Sequence, residues 1–172
     1  MFSSGTYDII DGIYYNPTGS TVTSTSTSDR KVNTDFDNVN IPLNSDFEYS
    51  YDYISSSIGF RWYIYSSSRA SASYPEYALG FGANTQAGKG YHLFSTIRIT
   101  SPDNIYLFEA TSNTKYHVRI VKTGTTIQVY VDDTLYTTHT VSWWDNYSPF
   151  KFGWNIWKTG TATVDNILIK PL

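Results

Sequence analysis

Apolar residues fall at every second position along most of this chain, and that alternation predicts β-strands. The clearest case is the run KYHVRIVKTGTTIQVYVDDTLYTTHT at residues 115–140. Two residue pairs that favour tight turns, Thr123-Gly124 and Asp132-Asp133, divide the run. It therefore predicts three antiparallel strands, each with one face in a core and the other in water.

Similar alternation recurs at short spacing through the rest of the chain, between clusters of Gly, Pro, Asn, Asp and Ser. No segment has sustained helical spacing of apolar residues. The further predicted strands are 12–15, 20–25, 47–54, 58–65, 76–83, 90–100, 105–110, 150–156 and 161–170. We expect one domain over 1–172, with N-terminal strands and a Ser/Thr-rich loop in 1–45 and the core in 46–172. So many strands require two packed antiparallel sheets.

Composition narrows the range of functions. The 172 residues include 16 Tyr, whose amphipathic rings suit sheets with aromatic outer faces. A net charge of -3 argues against a nucleic-acid partner. Because no apolar run approaches the roughly 20 residues needed to cross a bilayer, we expect no membrane insertion. The first residues do not match a secretion signal. The chain has no cysteine, which excludes thiolate metal sites and cysteine nucleophiles.

Four segments carry a resemblance to a known family: FEYSYDYI (47–54), GFGA (80–83), YHVRIVKTGTTIQVYVDDTLY (116–136) and FGW…TATVDNILI (152–169). Together they resemble the concanavalin A-like lectin/glucanase (laminin-G-like) jelly-roll superfamily. The resemblance implies an all-β fold, a two-sheet antiparallel jelly-roll sandwich, with an N-terminal strand beside the C-terminal one. The family pattern has Asp/Asn-Gly where this chain has Asp132-Asp133, which leaves the type of that turn open.

The resemblance implies carbohydrate as a ligand class, and two groups of residues suit it. Trp143 and Trp144 precede Asp145 and Asn146 in a loop, where indole could stack on a sugar and the polar pair could bind hydroxyls. The second group surrounds Trp157. The predicted ligand-binding residues are Arg61, Tyr63, His92, Trp143, Trp144, Asp145, Asn146, Asn155 and Trp157. Each tryptophan could equally be packed beneath its loop or sheet edge.

Calcium is the metal that the resemblance implies, because family members often hold it with loop carboxylates and carbonyls. The densest oxygen cluster is Asp35, Asp37 and Asn38, although turn chemistry explains these residues equally well. The three histidines, His92, His117 and His139, fall in different strands, so we expect them at the surface rather than in a metal or catalytic group.

Glycosidases of this fold place carboxylates at alternating positions of one strand. Here Glu48 and Asp52 flank Ser50, so the two acids lie about 13 Å apart at strand rise. That is too far for hydrolysis unless the side chains lean together or an acid of another strand, such as Glu109, takes part. We therefore predict no catalytic residues and a solvated face for this strand. The polar residues of the 115–140 run, His117, Arg119, Gln128 and Tyr130, match no known site.

These observations favour a non-catalytic carbohydrate-binding or adhesion domain with a glycan or cell-surface polysaccharide as partner. The setting expected is extracellular, on a cell surface or on a virion, as in a phage tail-fibre or baseplate protein or an adhesin. One alternative is a glycoside hydrolase or lyase on the same fold. Another is a purely structural virion or fibre domain, for which an oligomer would be expected.

Overall fold

The computed structural model describes the backbone of residues 8–10, 13–16, 20–24, 31–33, 46–55, 60–66, 78–86, 90–98, 102–140, 150–156 and 160–172. Side chains are described for residues 46–54, 81–83, 105–140, 165, 166, 168, 170 and 172. Within these ranges the regular structure is β-strand. None of the described segments is a helix of the length and hydropathy needed to cross a membrane.

Fourteen strands lie in the described ranges. Their bounds are β1 Asp8–Ile10, β2 Ile13–Asn16, β3 Ser20–Ser24, β4 Lys31–Asn33, β5 Phe47–Ser55, β6 Phe60–Ser66, β7 Ala78–Gln86, β8 Gly90–Arg98, β9 Pro102–Glu109, β10 Lys115–Thr123, β11 Thr126–Val131, β12 Thr134–Thr140, β13 Phe150–Ile156 and β14 Gly160–Pro171. Every strand predicted from the alternation is present. Some have the predicted ends, and in the others the ends are shifted. Strands β1 and β4 were not predicted, because three residues are too few for alternation to show.

The strands form two antiparallel sheets, which confirms the predicted all-β class. One is an eight-stranded sheet in the order β1-β2-β14-β5-β10-β11-β12, with β3 also paired to β14. The other is a six-stranded sheet in the order β4-β13-β6-β7-β8-β9. The N-terminal strands β2 and β3 pair with the C-terminal β14, as the resemblance implies.

The core contains alternate residues of β5, β10 and β11 together with Phe81 and Ala83 of β7. Phe47, Tyr49, Tyr51 and Tyr53 of β5 are at most 2% exposed. Phe81 of β7, also buried, meets two of those tyrosines edge to face, with ring centroids 6.3 Å from Tyr51 and 5.5 Å from Tyr53. Tyrosines of one sheet thus pack on the other, and aromatic pairs of this geometry add to the stabilisation from burial.

Each sheet has a β-bulge in an outermost strand pair, β11–β12 in one sheet and β8–β9 in the other. In the β11–β12 pair the register shifts between Val129 and Tyr130, so that Tyr136 is an extra residue on β12. The ring of Tyr136 stacks at 4.6 Å on Phe108 of the other sheet. A bulge redirects side chains in this way, and here it supplies a contact between the sheets.

The two turns of the 115–140 run use left-handed backbone. Gly124, φ 54°, belongs to the predicted turn, but the two residues between β10 and β11 are Gly124 and Thr125, one position later than the predicted Thr123-Gly124. Asp132 and Asp133 have φ values of 46° and 62°. Positive φ at both central residues is the signature of a type I′ hairpin turn, which Asp tolerates less well than Gly. The sequence did not decide the type of this turn. In the structure it is the type I′ turn that Asp-Gly would also form.

Candidate functional site

Polar and charged side chains cover the face of the eight-stranded sheet that points away from the core. We call it the polar face. Its members are Glu48 and Asp52 of β5, Lys115, His117 and Arg119 of β10, Tyr130 of β11, and Asn166 and Lys170 of β14. The strand neighbours of Glu48, Asp52, Arg119 and Tyr130 are buried, so these strands separate a core face from the polar face.

The register of three neighbouring strands brings these residues together. Asp52 lies between His117 on β10 and Asp165 on β14. Two residues along β5, Ser50 lies opposite Arg119, and Arg119 in turn lies opposite Tyr130 on β11. Because residues directly opposite each other share a face, distant parts of the chain form one surface at the centre of the sheet.

Asp52 is the centre of the first cluster. Its Oδ1 lies 2.9 Å from Nδ1 of His117, and its Oδ2 accepts hydrogen bonds from Asn166 Nδ2 at 2.8 Å and Lys115 Nζ at 3.2 Å. The residue is only 8% exposed. A buried carboxylate is stable only when such donors replace water.

These contacts determine the charge of Asp52. Burial by itself would raise the pKa of the carboxyl, but the hydrogen bonds from His117, Asn166 and Lys115, with the charge of Lys115, together lower the pKa below its ordinary value. Asp52 is therefore an anion at neutral pH and accepts from every partner. It follows that His117 donates through Nδ1 and that its Nε2 lies on the far side of the ring.

A bulge in β14 places Asn166 against Asp52. The register shifts between Asp165 and Leu168, with one residue more on β14 than on β5. Asn166 has φ 53°, and its backbone N–H donates to Asp165 Oδ1 at 2.7 Å. Asparagine is among the residues that adopt this left-handed conformation most readily. The bulge therefore turns an amide group onto the polar face.

Glu48 is the centre of the second cluster. Its carboxylate lies 3.1 Å from Lys170 Nζ and 3.6 Å from an Arg119 nitrogen. The Arg119 guanidinium also lies over the ring of Tyr130, 4.0 Å from the centroid, and the Tyr130 hydroxyl donates to Gln128 at 3.1 Å. An arginine held by a carboxylate and an aromatic ring has a fixed orientation.

Sequence reasoning missed this assembly. Asp52 was predicted to lie on a solvated face, which is wrong, because side chains from β10 and β14 cover it. The alternation did assign Glu48, Ser50 and Asp52 to the face away from the core correctly. What it lacked was register, since no local pattern shows that residues 52, 117 and 166 are neighbours.

The surface position predicted for His139 is also wrong. His139 is 7% exposed and lies opposite the fully buried Ile127. Burial lowers the pKa of this imidazole below 6.5. The bulge at Tyr136 is the cause, because the extra residue reverses the parity of the positions that follow it on β12.

The predicted ligand-binding residues that fall in described strands lie on the other sheet. Asn155 lies directly opposite Arg61, so the expectation that they are neighbours is confirmed for the backbone. Positions 61 and 155 each follow or precede, in their own strand, a position that is in register with the core residue Phe81. Because successive residues of a strand point to opposite faces, positions 61 and 155 share the face away from the core. Position 63 shares that face and is opposite Gly153, and His92 is paired with Asn84 and Glu109.

Trp143, Trp144, Asp145, Asn146 and Trp157 lie outside the described residues, and so do the predicted calcium ligands Asp35, Asp37 and Asn38. Within the ranges that are described, no three His, Asp or Glu residues are grouped so as to hold a metal ion.

Comparison with known proteins identifies the fold. No protein-family model matches the chain. No curated protein matches it either. Solved structures do match over nearly all of its length, at low sequence identity.

Three of these structures show the range of similar proteins. The carbohydrate-binding module CBM66 from Bacillus subtilis is 19% identical, with a TM-score of 0.50 over 99% of this chain and 94% of the module. The CBM2 module of the evolved Dit of Lactobacillus casei BL23 phage J-1 is 12% identical, with a TM-score of 0.52 over 96% and 79%. Alginate lyase AlyC3 is 11% identical, with a TM-score of 0.57 over 93% and 74%. At such identities the likeness establishes a shared fold.

Proposed function

We propose that this chain, which has the concanavalin A-like jelly-roll fold, is a non-catalytic carbohydrate-binding domain and that its polar face is the binding surface. The observation that carries the proposal is the pair of clusters around Asp52 and Glu48. They group cationic and aromatic side chains on one face of the sheet. The CBM66 and phage CBM2 modules, which share the fold, support the same ligand class.

The polar face suits a sugar for two physical reasons. Hydroxyl groups both donate and accept, and the face offers donors on Lys115 and Arg119 and an acceptor at Nε2 of His117, beside the phenol of Tyr130. Three of these side chains are also restrained before a ligand arrives, because Asp52 is hydrogen-bonded to Lys115 and His117 and Glu48 is in ionic contact with Arg119. Restraint of this kind reduces the entropy lost on binding.

A glycan array probed with the wild-type chain and three variants tests the proposal. Arg119→Gln removes the guanidinium that lies over Tyr130, and we expect affinity to fall about tenfold, which corresponds to about 1.4 kcal/mol. Trp144→Ala tests the loop site predicted from the sequence. Lys151→Gln, on β13 of the other sheet, removes one positive charge elsewhere and serves as the control.

Loss of binding in Arg119→Gln with retention in Trp144→Ala assigns the ligand to the polar face. The reverse result assigns it to the Trp143-Trp144 loop and overturns the choice of surface. Absence of binding to every glycan by the folded wild-type chain contradicts the carbohydrate-binding function itself.

The wider role proposed is adhesion, on a cell surface or a virion. The phage module of the same fold supports that setting. Single carbohydrate sites on shallow surfaces bind weakly, and several copies on one particle gain avidity. A parent gene within a phage structural cluster would agree with this role. A parent gene that encodes a soluble cytosolic enzyme would contradict it.

Calcium at Asp35, Asp37 and Asn38 stays a prediction. It implies that a chelator lowers the thermal midpoint and that the variant Asp37→Asn loses the response to added calcium. If the chelator changes neither stability nor glycan binding, this metal site does not exist.

A lyase activity is the second candidate, and one contact favours it. Because Asp52 accepts from Nδ1 of His117, the imidazole is oriented with Nε2 directed away from the carboxylate. An imidazole held in one tautomer by an acid is the arrangement required of a general base. Alginate lyase AlyC3 has the same fold. Formation of unsaturated sugar ends from an acidic polysaccharide, and its loss in His117→Gln, would support this candidate over simple binding.

Hydrolysis is disfavoured by the charges of the same acids. A glycosidase needs one carboxyl with a raised pKa to donate a proton. Here the pKa of Asp52 is lowered, by hydrogen bonds that outweigh its burial, and Glu48 contacts two cations. Asp52 is therefore not suited to act as the proton donor.

A further inference from the structure

Acids and bases lie at different depths on the polar face. The side chains of Asp52 and Glu48 are 10% and 16% exposed. The cations bound to them are more exposed: 63% for Lys115, 39% for Lys170 and 29% for Arg119. The cations thus lie outside the two acids that they contact, and beside them is one partly exposed acid, Asp165, directly opposite Asp52. The chain as a whole has a charge of -3.

The contacts to the acids use only part of the hydrogen-bonding capacity of these cations. Lys115 reaches Asp52 and Lys170 reaches Glu48 through one ammonium nitrogen each, and an ammonium carries three N–H donors. Arg119 approaches Glu48 through one nitrogen of a guanidinium with five donors. The donors directed away from the sheet are suited to an anionic acceptor.

We propose that the ligand of the polar face is an acidic polysaccharide, with a carboxylate or sulfate on its sugar units bound by Lys115, Arg119 and Lys170. This inference rests on the proposed carbohydrate-binding function and specifies its ligand class. Charge-assisted hydrogen bonds from lysine and arginine to such anions are roughly twice as strong as neutral ones. The acids beneath hold the cations in place, so a ligand does not have to order long flexible side chains.

Isothermal titration against three polymers tests the ligand class. Polygalacturonate supplies carboxylates, dextran sulfate supplies sulfates, and carboxyl-reduced polygalacturonate supplies the same backbone without charge. We expect at least one acidic polymer to bind at least tenfold more tightly than the carboxyl-reduced one. Because the contacts are ionic and exposed, this binding should weaken as salt is added. The acidic polymer that binds identifies the anion.

A charge variant and its matched control locate the binding. Lys115→Gln removes the most exposed cation of the polar face, and we expect at least a threefold loss of affinity for the acidic polymer. Lys151→Gln makes the same change on the six-stranded sheet and should bind like wild type. Circular dichroism and a urea titration establish that both variants are folded.

The outcomes separate this inference from the proposed function. Equal binding of the acidic and carboxyl-reduced polymers overturns the acidic ligand and leaves carbohydrate binding standing. Equal losses in Lys115→Gln and Lys151→Gln show non-specific charge attraction and overturn the site. If none of the three polymers binds but the glycan array finds a neutral sugar, the acidic ligand class is wrong. If the array is also negative, the proposed function fails with it.

Discussion

Asp52 is a buried anion whose partners come from two other strands, so its charge contributes to the stability of the fold. Replacement by Asn keeps the shape but removes the charge from the bonds with His117 and Lys115. We expect Asp52→Asn to lower the free energy of unfolding by about 2 kcal/mol at neutral pH. Urea denaturation measures the change. The matched variant Asp133→Asn, at an exposed turn position, should cost much less.

The difference in free energy of unfolding between wild type and Asp52→Asn should change with pH in a definite direction. The pKa of Asp52 is lower in the folded chain than its ordinary 3.8. Its stabilising contribution is therefore complete above that value and is lost as the pH falls through the folded-state pKa. The difference between wild type and Asp52→Asn should shrink as the pH falls below 3.8. A difference that stays constant down to strongly acidic pH would contradict the role given to the charge.

His139 also makes the folding stability decrease as the pH falls, but in a higher pH range than Asp52. Burial lowers the pKa of this imidazole in the folded chain, so the unfolded chain takes up a proton first as the pH falls below 6.5. Folding stability must then decrease with falling pH until the folded-state pKa is reached. In His139→Gln this component should be absent. Thermal midpoints of both proteins between about pH 5 and about pH 8 measure it; parallel curves would contradict the prediction.

At the scale of elements, two aspartates, Asp132 and Asp133, form the turn between β11 and β12. Asp132 contributes more than its backbone, because its Oδ1 accepts from the N–H of His117 at 2.8 Å. Asp133 has φ 62° and is exposed. We expect Asp133→Gly to stabilise the chain by about 1 kcal/mol, since glycine has no steric penalty at positive φ.

Asp132→Gly is the informative counterpart of that change. It relieves the same backbone penalty but removes the bond to His117, so it should gain less stability than Asp133→Gly or lose some. Urea midpoints of the two variants provide the comparison. Equal gains would show that the Asp132 side chain contributes nothing to the turn.

Local pattern predicted the elements well and the polar face poorly, for a physical reason. Alternation in β5 and β10 reflects burial on one side of a strand, and that is decided within a few residues. The contact between Asp52 and Asn166 depends on an extra residue in β14, and that of Asp52 with His117 depends on register. The error at His139 has the same origin, because the bulge at Tyr136 changes which face later residues occupy.

For the whole molecule, Asp46 joins three places that are far apart in the chain. Its Oδ1 accepts from the N–H of Gly124 at 2.7 Å and lies 3.7 Å from Nζ of Lys122, whose side chain is fully buried. Its carbonyl accepts from the N–H of Leu172 at 3.0 Å. The start of β5, the β10–β11 turn and the end of β14 are thus held together by one residue.

We expect Asp46→Asn to lower the free energy of unfolding by about 1–3 kcal/mol, because it removes a negative charge near a buried ammonium while leaving an oxygen for Gly124. In a Lys122→Met background the same substitution should cost clearly less. Urea denaturation of the four proteins in this double-mutant cycle gives the coupling directly. A coupling of zero would show that the ionic contact between Asp46 and Lys122 contributes nothing.

Strand β12 has a consequence for how separate copies of the chain behave towards each other. It is an outermost strand, and its sequence TLYTTHT contains neither lysine, acid nor proline, the usual protections of a sheet edge against pairing with another chain. The bulge at Tyr136 interrupts the regular ladder in the middle of that edge and bends it. The residue that positions an aromatic stack between the sheets should thereby also keep the sheet from continuing into a neighbouring molecule, and so protect the protein from aggregation.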